Sequence, residues 1–210
     1  MGPQRFNVRA VAAMSENDGI HRLLPSGLYP RLLGKSWRRL DDAIRRLHPH
    51  AGAIVQAVGV FHVRGGTNPL TRTLAWLAQL PAVGKNVEVR LLVTALEDGE
   101  ERRRWFGARP LASLQSMRSD GLLAEQVGIV EMRFRLEVAS GALHYLTRSA
   151  ALCFGSLRIP LPLWFSPRVK ASERPLGNPD HVYVTVEVIL PVLGRLISYE
   201  GKLTIVEVQG

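Results

Sequence analysis

Two stretches of this chain place apolar residues at three- and four-residue steps, and most of the remainder places them at steps of two. Leu28, Leu32, Trp37, Leu40, Ile44 and Leu47 make the first helical series, from Ser26 to Leu47, in which Gly34 divides a short piece from a longer one. In the second, Asn68 supplies an N-cap and Pro69 a first helical position. Leu70, Thr73, Leu74, Leu77 and Leu80 then share one side before Pro81 ends the helix. Between the two, residues 51–63 read as a strand apolar on both faces, Ile54, Val58 and Val60 on one and Ala53, Val55, Ala57 and Phe61 on the other.

Beyond Pro81 the period is two. Val87, Val89, Leu91, Val93 and Ala95 alternate with polar or smaller contacts, as do Met132, Phe134, Leu136 and Val138, and again Val182, Val184, Val186 and Val188. Turn-forming clusters at 97–99, 107–110, 119–121, 140–141, 177–180 and 191–194 separate these runs. The pattern predicts a mainly β (α+β) fold: a strongly curved antiparallel sheet or lipocalin-like barrel of about 8–10 strands, with two N-terminal helical segments. A helix-grip fold is the other candidate, but the chain ends as a strand where that fold requires a long helix. Residues 1–25 show no sustained period and are expected to form a flexible leader ahead of a single domain over 26–210.

One stretch interrupts the alternation. From Gly155 to Glu173 the chain holds Pro160, Pro162 and Pro167 with Trp164 and Phe165 between them. Prolines so close together exclude a paired central strand or a helix, so the stretch is read as a corner. Its apolar residues are expected to fold inward or cover an opening.

The chain resembles a known family at four places: Leu28-Tyr29-Pro30-Arg31-Leu32-Leu33-Gly34, Gly66-Thr67-Asn68-Pro69-Leu70, Ile159-Pro160-Leu161-Pro162-Leu163-Trp164 with Pro167, and Leu190-Pro191-Val192-Leu193-Gly194. These are similar to the bacterial family catalogued as domain of unknown function 4166, from about Leu28 to the C-terminus. The resemblance implies a domain found alone or attached behind a saccharopine-dehydrogenase-like, nicotinamide-dependent domain. It implies no catalytic residue.

The 210 residues carry a net charge of +9, mostly through arginine. Such a balance favours phosphates, anionic lipid or acidic proteins as partners, although the arginines are dispersed. The short run Arg102-Arg103-Arg104-Trp105-Phe106 is equally explained as a charged edge strand, and nucleic acid is not expected as a partner. No apolar run is long enough for a membrane-spanning helix and no secretory h-region is visible; with one cysteine, Cys153, a cytoplasmic location is expected.

Chemistry-bearing motifs are sparse. Glycine-rich nucleotide loops, HExxH and paired CxxC are missing from the sequence, so no cofactor and no metal is expected. Gln56 and His62 share a face of the 51–63 strand. They would be the convergent polar groups of an apolar pocket if that face lines a cavity, with Trp105 and Trp164 as walls. Gly66, Thr67 and Asn68, ahead of the second helix, form a weaker anion-binding candidate through free backbone N–H groups. His48-Pro49-His50 reads as an exposed turn. The preferred reading is a non-catalytic barrel holding an apolar or amphipathic small molecule. The alternatives are an enzyme or accessory subunit beside a separately encoded oxidoreductase, and a basic module for an anionic membrane surface or RNA.

Overall fold

Valine-rich alternation becomes a wall of strands that runs up and down in chain order. A computed structural model describes residues 27–209; Ser26 and the leader expected over 1–25 lie outside the described residues. The strands are β1 (Ile54–Gly65), β2 (Gly84–Ala95), β3 (Gly99–Phe106), β4 (Arg109–Met117), β5 (Leu123–Val127), β6 (Val130–Ala139), β7 (Ala142–Phe154), β8 (Leu157–Pro160), β9 (Arg168–Pro175), β10 (His181–Leu190) and β11 (Gly194–Gln209). All pairings are antiparallel, β6 with β7 among them, and the first strand pairs with the last. The sheet therefore closes. Ten strands form the barrel wall, while β8 hangs beside the upper part of β7 as a short extra strand.

Closure decides which face of each strand is buried. On β1, Val55, Ala57, Phe61 and Val63 point inward, whereas Val58 and Val60 are exposed on the outside. The expectation of two buried faces is thus corrected, because no helix covers this strand. On β2, Val89, Leu91, Val93 and Ala95 face in, as their period indicates. The β1–β11 seam is tight. A Cβ on Gly201 would overlap the Val60 carbonyl oxygen and come within 2.7 Å of the Phe61 ring, so the ring lies directly over a position with no side chain.

Helices stand at both ends of this wall. Helix α1 (Leu28–Leu33), a 3-10 turn (Gly34–Arg39) and helix α2 (Asp42–Leu47) plug the first end. Gly34, at φ 51°, makes the break expected there. The Asp41 side chain caps α2 by accepting from the Ala43 N–H, and the Asp41 N–H donates to Gly141 in the β6–β7 turn. Leu28, Tyr29, Leu40, Ala43, Ile44 and Leu47 are buried against the barrel interior. At the opposite end, Asn68 and Pro69 start α3 (Pro69–Leu77), with the Asn68 side chain accepting from the Thr71 N–H. Only Thr71 of α3 is buried; Leu70 and Leu77 are exposed, and of the expected leucine face it is Leu80, just beyond the helix, that packs against the core.

The seam yields a direct test. Gly201→Ala forces either the strand pair or the Phe61 ring to move, and is expected to cost about 1–3 kcal/mol by overpacking, read as a lowered midpoint in urea with an unchanged slope. A variant as stable as the wild type would show that the seam has slack.

Candidate functional site

Strand β3 carries charge on both faces, and the closed wall turns half of that charge inward. Glu100, Arg102, Arg104 and Phe106 face the interior, while Glu101, Arg103 and Trp105 face out. The expectation of a charged edge strand is corrected: β3 pairs on both sides, and Arg102 is buried. An interior guanidinium demands partners, and they come from three elements: the C-terminus of α2, β3 itself and β9. Arg102 Nη2 lies 2.7 Å from His48 Nδ1 and 3.3 Å from Glu100 Oε2, and Nη1 is 3.4 Å from Glu173 Oε1. His48 Nε2 donates to Glu173 Oε2 at 2.7 Å, and the Tyr145 hydroxyl donates to Glu173 Oε1 at 3.0 Å. Tyr29 donates to Gln115 Oε1 at 2.8 Å, and its ring stacks 3.6 Å from that of His48.

His48, expected in an exposed turn, is therefore a buried group at the C-terminus of α2. An arginine N–H can only donate, so the 2.7 Å contact assigns the ring as neutral at Nδ1 with its proton on Nε2. Proton uptake would turn Nδ1 toward Glu100 Oε2, 3.6 Å away. Burial alone would lower this histidine's pKa. The Glu173 charge opposes that, Arg102 works against it, and hydrogen bonds to Glu100 and Glu173 complete a net rise above 6.5. For Glu173, burial favours the neutral acid. The His48 charge and hydrogen bond, Arg102 and the Tyr145 hydroxyl outweigh burial and hold the carboxyl at about 2. Burial raises Tyr29 and Tyr145 well above the usual phenol range.

A second ionic set lies further up the wall. Arg104 donates to Ser113 Oγ at 3.0 Å and to Glu125 Oε1 at 3.3 Å, and Ser113 donates to the same oxygen at 2.6 Å. Burial raises the Glu125 carboxyl, but Arg104, Ser113 and their neighbours bring it below its ordinary value. Together the two sets floor a cavity of about 120 Å³, whose upper walls are apolar: Phe61, Phe106, Val127, Met132, Val186 and Val188, with Tyr199 among them.

The residues singled out from the sequence fall elsewhere. Gln56 and His62 are half-buried on the outer face of β1; the cavity is lined from that strand by Phe61. His62 opens onto a polar groove with Arg64, Lys170, Glu187, Arg195 and Glu200. Trp105 lies outside the barrel with the Arg90 guanidinium 5.9 Å from its ring, and Trp164 is exposed beside Phe165 in the proline corner. At the Gly66-Thr67-Asn68 turn, the Gly66 N–H donates to Leu196 and the Asn68 side chain donates to Leu193. None of these groups meets another at the cavity. Among the described residues, no group of three His, Cys, Asp or Glu is placed to hold a metal ion.

What the sequence held in favour of the real floor was register. Arg102 pairs across from Val93 and Arg104 from Leu91, both inward residues of the unambiguous strand β2, which fixes their direction.

The floor makes stability depend on pH in two opposite ways. Glu173, lowered to about 2, stabilises fully above the ordinary 4.5 and ceases to do so as pH falls through about 2. His48, raised above 6.5, stabilises fully below that value and loses its contribution as pH rises through the higher folded pKa. The floor's contribution is thus greatest between 4.5 and 6.5. Glu173→Gln is expected to cost about 3–5 kcal/mol, since it strips Arg102 and His48 of a carboxylate. The acid-side decline in melting temperature should shrink with it. A neutral substitution with an unchanged acid limb would remove Glu173 from the account.

No curated protein and no solved structure matches the chain significantly. A family model does match, over residues 40–203, from the residues leading into α2 to the middle of β11. The chain belongs to the family described as Domain of unknown function (DUF4166).

Proposed function

We propose that the barrel interior binds a small, uncharged, largely apolar molecule whose one polar end meets the ionic floor. The observation that supports this reading is the cavity of about 120 Å³, apolar above and hydrogen-bonding below, inside an otherwise packed wall. An apolar cavity of about 150 Å³ accommodates benzene, so this space suits a single ring or a short branched chain. A larger guest requires side chains to move, and Met132 is the pliable member of the lining.

Charge selects among guests. Glu100, Glu125 and Glu173 face Arg102 and Arg104, so with His48 neutral the interior holds one excess negative charge, and with His48 protonated it holds none. In neither state does the floor offer a spare cation. A carboxylate guest would enter low dielectric unpaired, which is costly. Alcohols, phenols, ketones and esters carry a hydrogen-bonding end without that penalty.

Phenol and p-cresol are expected to raise the melting temperature in proportion to RT ln(1 + [L]/Kd), with benzoate giving no rise at the same concentration. Val186→Phe fills part of the cavity and should abolish the response while the protein stays folded. Neutral probes that leave the midpoint unmoved, or that act equally on Val186→Phe, would overturn the interior as a binding site. Native mass spectrometry of protein from its own host then identifies the natural guest.

A further inference from the structure

The antiparallel wall sends the β1–β2, β3–β4, β5–β6, β7–β9 and β10–β11 connections to one rim, and the other connections to the end plugged by α1 and α2. Composition differs sharply between the two ends. The rim connections, residues 66–83, 107–108, 128–129, 155–167 and 191–193, contain no aspartate and no glutamate. At the plugged end stand Asp41, Asp42, Glu97, Asp98, Asp120 and Asp180. On or beside the rim lie the exposed Arg72, Lys85, Arg109 and Arg168, with Arg195 half-buried and Arg158 held by Glu131. The nearest carboxylates, Glu131, Glu88 and Glu187, belong to strand bodies rather than to rim connections, and Glu131 is buried.

Large apolar side chains project from the same rim. In α3, Trp76 is 67% exposed; in the proline corner, Leu163 is 75% exposed and Trp164 and Phe165 stand beside it; in the β10–β11 turn, Val192 is 67% exposed. The corner therefore does not fold inward, one of the two arrangements expected from its sequence. Phe154, Leu157 and Ile159 extend the patch along the β7–β8 hairpin. Large apolar side chains exposed together on one rim mark a contact surface. Indole rings and aliphatic side chains flanked by exposed arginine and lysine, on connections that carry no carboxylate, match the layered chemistry of an anionic bilayer surface: acyl chains, then an interfacial zone that favours tryptophan, then negative headgroups.

We infer that this rim docks the protein peripherally on an anionic lipid bilayer, with Trp76 and the Leu163-Trp164-Phe165 tip entering the headgroup–acyl boundary. The contact is superficial. Among the described residues no helix is long and apolar enough to cross a membrane.

The test uses the full chain and two vesicle preparations, pure phosphatidylcholine and phosphatidylcholine with about a third phosphatidylglycerol. Co-sedimentation is expected only with the second, with a blue shift of tryptophan emission. Partitioning should weaken at least tenfold when salt is raised to half-molar, as screening removes the attraction. The pairs Trp76→Ala/Trp164→Ala and Arg72→Glu/Lys85→Glu should each lower partitioning at least tenfold with melting temperatures unchanged, since all four side chains are exposed. Lys35→Glu/Arg38→Glu, at the plugged end, should have little effect. Equal binding to neutral vesicles, no binding to either, or an equal loss in the plugged-end pair would overturn the proposal. Tighter capture by polyglutamate than by vesicles would replace the membrane with an acidic protein. Val186→Phe should bind vesicles normally, so failure of the interior reading leaves this one standing.

Discussion

An arginine that cannot be left alone organises the closed end of this barrel. Arg102 points inward because β3 is a wall strand in register with β2, and, buried there, its five N–H groups need partners inside the barrel. Its partners are drawn from β3 itself, β9 and the C-terminus of α2, and Tyr145 and Tyr29 tie those partners to β7, α1 and β4. The plug is therefore held by more than apolar packing. Leu28, Ile44 and Leu47 supply the burial that drives the plug into the barrel, and the ionic floor fixes the depth and orientation at which it stops. Replacing such a network by apolar side chains of equal shape is often neutral for stability, so its presence is better explained by the placement it imposes than by net energy.

Parity along a strand was enough to orient β2, β6 and β10, where one set of alternate residues is apolar and the other polar. It fails where the two sets look alike. β1 is apolar on both faces, so nothing in its own residues says that Phe61 rather than His62 lines the interior; β3 is charged on both faces, so nothing says that Arg102 rather than Arg103 does. In each case the answer comes from the neighbouring strand, a non-local fact. The helix at 69–77 was legible through Asn68 and Pro69, which act locally, yet its leucine pattern misled because amphipathicity states that a face will be covered and not by what. His48 was obscured by the proline that follows it: His-Pro-His has the composition of a turn, and only the packed plug shows its first ring to be inside.

The two ends of the barrel obey different constraints. At the plugged end, acidic side chains cap and pair: Asp41 caps α2, Asp98 meets Arg31, and Asp180 meets Arg46. At the rim the cap and the cross-turn bonds are made by uncharged groups, with Asn68 capping α3 and donating to Leu193. α3 buries only Thr71, which packs against Gly66, and the proline corner returns the chain from β8 to β9 with its aromatic tip in solvent. Polar side chains would serve either segment as well for folding and better for keeping copies apart. Under the docking proposal, solvent-facing Trp76, Leu163 and Trp164 are the side chains that enter the bilayer.

Interior and rim also share a chemical logic. On the reading proposed for the interior, a guest is uncharged and mostly apolar, because the three carboxylates facing Arg102 and Arg104 leave no spare cation. Molecules of that description partition into bilayers and are scarce in bulk water. The cavity's apolar wall includes Phe106 and Val127, the last residues of β3 and β5 before the rim connections, whereas its polar floor is attached to the plug at the far end. A protein that meets such guests at a membrane surface needs its apolar end toward the bilayer and its ionic end away from it. That polarity is the one in which the carboxylate-free rim and the buried ion pairs are arranged.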